Sequence, residues 1–324
     1  RSSGVGLNRK EIGAVIWNTS DLDSSDETIG IRGYDSTGDG TKDSILLGTY
    51  NDLSIFYTNG TYKGMVNEFN GYVWGIVVGD MNNDSKDDFV VVDFDASAFV
   101  YNSSNQLLWN TTDLGGSFDG HGIAMGDLNN DSLNDIVIAE MDGDGNPEFV
   151  IAYNNSGTQL WNVSYDSRYA QEVEIFDVNN DGINEVIFNA YNEGRFYVVN
   201  GTDGSIILNV SQSSSFGRAF TILNLDSDPE YEYAVANYLS QIDFIDDNGT
   251  HISTYDATGF ASSEIVSLDI DSDGFDEAIF ASNDGYVHAL DNNGFIWNAS
   301  IEVGGVYSMK VIDIDNDGSN EIIV

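Results

Sequence analysis

Seven stretches of the chain place oxygen-bearing side chains at the first, third, fifth and ninth positions of a nine-residue frame. They are Asp35, Thr37, Asp39 and Asp43; Asp80, Asn82, Asp84 and Asp88; Asp127, Asn129, Asp131 and Asp135; Asp177, Asn179, Asp181 and Glu185; Asn224, Asp226, Asp228 and Glu232; Asp269, Asp271, Asp273 and Glu277; and Asp313, Asp315, Asp317 and Glu321. Alternate residues of a tight loop converge on one point, and a glycine at the sixth position permits the bend. The seventh position adds a backbone carbonyl, from Thr41, Lys86, Leu133, Ile183, Glu230, Phe275 and Ser319 in turn. The acid at the ninth position closes the shell. Six to eight oxygens in flexible geometry suit calcium, whereas magnesium demands a stricter octahedron and zinc prefers His and Cys, which these positions lack. The expected complement is up to seven calcium ions, one per frame. The fifth frame is the least regular, with Asn224 in first place and Pro229 where glycine often sits. Ser85 and Ser132 replace that glycine in the second and third frames and are expected to weaken those sites.

The frames begin at intervals of 45, 47, 50, 47, 45 and 44 residues, the period of a four-stranded propeller blade. In the third repeat, residues 122–128 read as a first strand, 135–141 as a second, 149–157 as a third and 158–164 as a fourth. Asn59-Gly60, Asn200-Gly201, Asn248-Gly249 and Asn293-Gly294 fall between third and fourth strands, and Asn-Gly favours a two-residue hairpin in which both residues take positive φ. No stretch sustains a helical apolar period. The fold expected is all-β: a single seven-bladed β-propeller of four-stranded blades over residues 1–324. Its blades lie at about 26–70, 71–115, 116–166, 167–212, 213–259, 260–303 and 304–324, with residues 1–25 completing the last. In that segment 15–20 supplies a fourth strand and 4–8 a third, which removes the exposed edge of an open ring.

Composition narrows the partners. Asp and Glu number 54 against 11 Lys and Arg, a formal net charge of −43. Nucleic acid and anionic lipid both need a basic surface, so neither is expected, and cations are. No run approaches the ~20 apolar residues of a membrane span, so direct insertion is not expected. Cysteine is absent, as in a cytosolic enzyme or in a secreted protein stabilised by metal in place of disulfides. An extracellular or cell-surface location is the expectation. The side chains at the four frame positions include 23 carboxylates, and setting these aside still leaves −20. The excess describes a solvated acidic coat.

The seven Asp-x-Asp/Asn-x-Asp-x-x-x-Asp/Glu loops between apolar strands resemble FG-GAP/VCBS repeats over essentially the whole chain. These repeats build the calcium-binding propeller of integrin alpha subunits and of many microbial secreted proteins. The resemblance implies calcium on loops at one face, and a role in adhesion or in binding a protein or glycan ligand at the cell surface. Self-assembly into a filament or surface layer is a further reading. A few members are polysaccharide lyases, which keeps an enzyme on the same scaffold as the alternative. Only Phe216-Gly217 matches the Phe-Gly element and no Gly-Ala-Pro occurs, which favours the looser microbial class. Residues 287–297 also resemble one quinoprotein propeller repeat.

No catalytic set is expected. His121, His251 and His288 lie in different repeats, and no Ser-His-Asp or Cys-His spacing is present. Asp142, Asp144, Asn146 and Glu148 form an extra acidic stretch, read as a solvated turn or a second kind of cation site. Asn-x-Ser/Thr triplets at Asn18, Asn59, Asn102, Asn110, Asn154, Asn162, Asn200, Asn209, Asn248 and Asn298 either accept glycans or arise by chance from the turn repeat; those at Asn83 and Asn130 lie inside the frames. Trp17, Trp109, Trp161 and Trp297, at the ends of fourth strands, read as packing between blades ahead of a sugar platform.

Overall fold

A computed structural model describes residues 30–95, 97–111, 122–139, 148–165, 170–190, 194–211, 216–237, 241–256, 261–282, 285–301, 309–312 and 320–323. Six four-stranded antiparallel sheets follow one another, each with its strands hydrogen-bonded in chain order. They comprise β1 (Gly30–Tyr34), β2 (Ser44–Gly48), β3 (Leu53–Tyr57) and β4 (Tyr62–Val66); β5 (Val73–Gly79), β6 (Asp88–Asp93), β7 (Ala98–Tyr101) and β8 (Leu107–Asn110); β9 (Ile123–Gly126), β10 (Asp135–Ala139), β11 (Glu148–Tyr153) and β12 (Gln159–Tyr165); β13 (Ala170–Phe176), β14 (Glu185–Ala190), β15 (Arg195–Asn200) and β16 (Ile206–Ser211); β17 (Phe216–Leu223), β18 (Glu232–Asn237), β19 (Gln241–Ile245) and β20 (His251–Asp256); and β21 (Ala261–Leu268), β22 (Glu277–Ser282), β23 (Tyr286–Asp291) and β24 (Gly294–Ser300). A final pair, β25 (Lys310–Ile312) and β26 (Glu321–Ile323), is antiparallel. The predicted closing segment, residues 1–25, lies outside the described residues.

The apolar runs explain the stacking. In the second to sixth sheets the second strand, such as Asp88–Asp93 or Glu185–Ala190, is buried at every position, because its sheet is covered on both faces. The fourth strands β16 and β20 are mostly exposed. Five apolar clusters each lie between consecutive sheets. Phe196 and Val198 of β15, for example, pack with Phe220 of β17 and Tyr233 and Val235 of β18. The first strands stand side by side, β1 against β5, β5 against β9 and so on to β21 against β25. Burial of one such Phe or Val side chain contributes about 1.5–3 kcal/mol, so the sheets are bound mainly by the faces they share.

The turns differ from the sequence reading. At Asn59-Gly60 and Asn248-Gly249 only the glycine takes a positive φ, 84° in both. The Tyr57 amide donates to the Thr61 carbonyl and the Gly60 amide to the Tyr57 carbonyl. These are three-residue loops whose glycine makes a bulge, and the strand register shifts beside them. In the fourth sheet the positive φ falls on Gly204, not on Gly201.

Those turns seat the tryptophans. Trp161 of β12 donates its indole N–H to the Gly201 carbonyl of the next sheet at 2.5 Å, and a Cβ on Gly204 would lie 2.9 Å from its ring. Trp109 of β8 meets Asn155 and Gly157 in the same way. Trp161→Ala is expected to cost about 3–5 kcal/mol in urea unfolding, since it opens a cavity and frees the neighbouring turn. A loss within error of zero would remove this residue from the packing account.

Candidate metal centres

Each described frame starts one residue after a first strand, and the second to sixth end at the head of the second strand. Asp80 follows β5 and Asp88 opens β6; Asp177 follows β13 and Glu185 opens β14. The ninth position therefore inherits the burial of the second strand. Asp88, Asp135 and Glu185 are 0 % exposed, Glu232 1 % and Glu277 2 %. Burial, opposed by the amides of Met81 and Ser103 and reinforced by Asp84 and Asp80, pushes the Asp88 carboxyl up to about 6. Burial acts likewise on Asp135, raised to about 6, and on Glu185, Glu232 and Glu277, raised to about 7. The other frame acids add to the rise in all four.

The loop backbone brings the oxygens together. In the second, third and fourth frames the first-position carboxylate accepts from the amides at positions five and six, as where Asp80 accepts from Asp84 at 3.2 Å and Ser85 at 2.7 Å. The fifth-position side chain accepts from the seventh amide, and the ninth from the second, so that Leu128 donates to Asp135 at 3.1 Å. This winding needs positive φ at positions four and six, found at Asn83 and Ser85, Asn130 and Ser132, Asn180 and Gly182, and Ser272 and Gly274. Ser85 and Ser132, both at φ 67°, keep the bend that Gly182 makes at 85°. The departure from glycine costs about 1 kcal/mol of strain in each loop and leaves its path intact.

Among the described residues, four oxygens at frame positions are buried with no hydrogen-bond partner: Asn129 Oδ1, Asn224 Oδ1, Glu232 Oε1 and Asp269 Oδ1. An unsatisfied buried acceptor costs roughly 1–3 kcal/mol, so four in one set of loops call for a ligand. Carboxylate oxygens of Asp269, Asp271 and Asp273 lie within 4.8 Å of one another, as do those of Asp226, Glu232 and Asp246. Hard, crowded, oxygen-only donors of this kind fit calcium. Asp246, in the turn between β19 and β20, joins this cluster although the frame spacing did not disclose it.

The first frame is satisfied differently. For Asp35, hydrogen bonds from Gly38, Gly40 and Thr37 outweigh the effect of burial and lower its carboxyl to about 2. For Asp43, burial is likewise outweighed, here by Ser44 and Ser36 and by the Lys63 ammonium, so its carboxyl titrates below the usual range. Lys63 in turn donates to the hydroxyls of Ser36 and Ser44 at 3.0 and 2.9 Å. In the seventh frame Asp313, Asp315, Asp317 and Ser319 lie outside the described residues, and Glu321 opens β26. His121 and Asp142, Asp144 and Asn146 also lie outside them. His251 accepts or donates to Thr254 Oγ1 at 2.8 Å, and the buried His288 stacks on Phe280.

Position eight, to which the sequence assigned no role, ties the second, third, fourth and sixth loops to the one before each. Asn134 donates to the Asp80 carbonyl at 2.8 Å and Asn184 to the Asp127 carbonyl at 2.7 Å. Asp87 accepts from the Asp35 amide at 2.6 Å, and Asp276 from the Asn224 amide at 3.0 Å. Each bond ends on the backbone of a first-position residue, so one loop's shape is set partly by its neighbour. Asn184→Ala is expected to cost about 1–3 kcal/mol by stranding the Asp127 carbonyl, and to weaken cation binding in the third frame rather than in its own. Calorimetric titration of the variant reads both.

No family model and no curated protein matches the chain. Solved structures do. BamB from Moraxella catarrhalis superposes with a TM-score of 0.62 at 15% identity, covering 90% of this chain and 80% of that one. The Dos1 propeller gives 0.62 at 12% identity, over 88% and 73%. BBS1N in complex with ARL6DN gives 0.58 at 12%, over 79% and 75%. The shared architecture is that of a β-propeller.

Proposed function

We propose that the chain is an extracellular calcium-binding β-propeller of the FG-GAP/VCBS type, working as an adhesion, ligand-binding or surface-assembly module. The observation that carries the reading is the set of buried, unpartnered oxygens at frame positions in the third, fifth and sixth loops. Calcium would be held by the frame side chains and the seventh-position carbonyls, and when bound it supplies the positive charge that these buried acids lack. The loops it stiffens lie at one end of stacked sheets, where a rigid rim suits a protein or glycan ligand better than a reaction centre. That BBS1N is solved in complex with ARL6DN supports a protein partner as one use of such a scaffold. Millimolar calcium outside cells suits loops of moderate affinity, and the acidic coat agrees with that setting.

The experiment is a count. Protein dialysed against 2 mM calcium and then analysed for bound metal is expected to hold at least five ions, for the second to sixth frames. One ion or none per chain would end the calcium reading. Sedimentation with and without calcium then separates self-assembly from binding of another partner, because only the first enlarges the particle in a pure sample.

A further inference from the structure

The turn between third and fourth strands treats its leading side chain alike in four sheets and differently in the fifth. Asn102 Oδ1 accepts from the amides of Ser104 and Gln106, and Asn154 Oδ1 from those of Ser156 and Thr158. Asn200 accepts from Thr202, and Asp291 from Asn293 and Gly294. In each case the side chain folds back over its own turn. At the equivalent Asp246 no backbone amide takes that place: its Oδ2 accepts from the side-chain amide of Asn248, whose Oδ1 accepts from the Thr250 amide. The Asp246 carboxylate lies with those of Asp226 and Glu232, oxygens within 4.8 Å.

The fifth loop has a matching deficit. Its first position is Asn224, which brings no charge, and no residue from Asn224 to Glu232 takes a positive φ. Pro229 fixes φ near −65° at the sixth position, so the winding of the other loops is closed to it. Glu232, 1 % exposed, leaves Oε1 without a partner. In the second and third sheets the corresponding oxygen of Asp88 or Asp135 takes an amide from Ser103 or Asn155. Here that oxygen has no such amide, and a Glu232 carboxylate oxygen lies within 4.8 Å of one of Asp246.

We propose that the fifth sheet holds its divalent cation between its frame loop and its β19–β20 turn, with Asp246 supplying the carboxylate that Asn224 lacks. The inference rests on the calcium reading above and changes one site's ligand set and its consequence: this cation clamps two loops of one sheet, where the others stiffen a single loop. Asp246→Asn is the direct variant, because asparagine is what the turns of the second, third and fourth sheets carry. Asp291→Asn in the sixth sheet is the control for altering such a turn.

Calcium titration by calorimetry, with the metal count as above, reads the result. Asp246→Asn is expected to lose one ion, or to weaken one site at least tenfold, while Asp291→Asn keeps the wild-type count. Adding Asn224→Asp to Asp246→Asn is expected to restore the ion by returning the charge to the loop. An Asp246→Asn protein with the wild-type count and affinities within twofold would overturn the proposal, as would equal losses in both turn variants. If wild type itself bound no calcium, both this inference and the broader reading would fall; if it bound several ions with Asp246→Asn unchanged, only this one would.

Discussion

Removing calcium is expected to lower the melting temperature by on the order of 20 °C. The estimate follows from linkage. A site at a free ion concentration a hundredfold above its Kd adds about 2.7 kcal/mol to the folded state. The second to sixth frames would together supply about 13 kcal/mol, and a chain of this size shifts by about 2 °C per kcal/mol. The effect should be that large because each ion would neutralise a buried acid at the inner end of its loop. Each ninth-position acid opens a fully buried strand, so taking the ion away leaves a carboxylate between stacked sheets with no cation beside it. Calorimetric melts in 2 mM calcium and in excess chelator check this, with magnesium at the same concentration as the control. Magnesium should recover only a minor part, since it keeps its waters and tolerates loose seven-oxygen shells poorly. A melting point unmoved by chelator would refute structural calcium.

Most of the strand plan was legible because short apolar runs bounded by turn residues and a repeat of 44–50 residues are one-dimensional signals. The third repeat's predicted strands differ from β9 to β12 by only a few residues at their ends. The frames were legible for the same reason, being spacing along the chain. What escaped depended on neighbours in space. Asp246 comes to the fifth loop from a turn 14 residues beyond Glu232, and nothing in the spacing distinguishes it from Asp291, which folds over its own turn. The links through Asn134 and Asn184 join residues more than fifty positions apart. Lys63, which meets part of the charge demand of the first frame, arrives from a different strand of the same sheet. The serines at position six keep the glycine-like bend for a local reason: a loop with its first carboxylate bonded to two amides holds a non-glycine residue at positive φ at modest cost.

Without calcium, the protein is expected to gain stability as the pH falls from 8 to 5, the reverse of ordinary acid denaturation. The sign follows from the five buried ninth-position acids. Asp88 and Asp135 are raised to about 6 and Glu185, Glu232 and Glu277 to about 7, with burial the first cause in each. An unfolded carboxyl titrates near 4, so between about pH 4 and 7 the folded chain binds more protons than the unfolded one. Stability then falls as pH rises through that window, and the contribution of these acids is fully lost above about 7. A two-unit rise corresponds to about 2.7 kcal/mol per group, and the net charge of −43 presses in the same direction by self-repulsion. Asp35, held at about 2, opposes the trend only below pH 4. With calcium the slope should invert, because protons and the ion compete for the same oxygens: affinity should fall as pH drops below about 7, and the melting point with it. The two melting curves, drawn against pH, should therefore converge toward pH 5 and separate most widely above pH 7. Parallel curves across that range would mean that the buried carboxyls and the cation do not share a site.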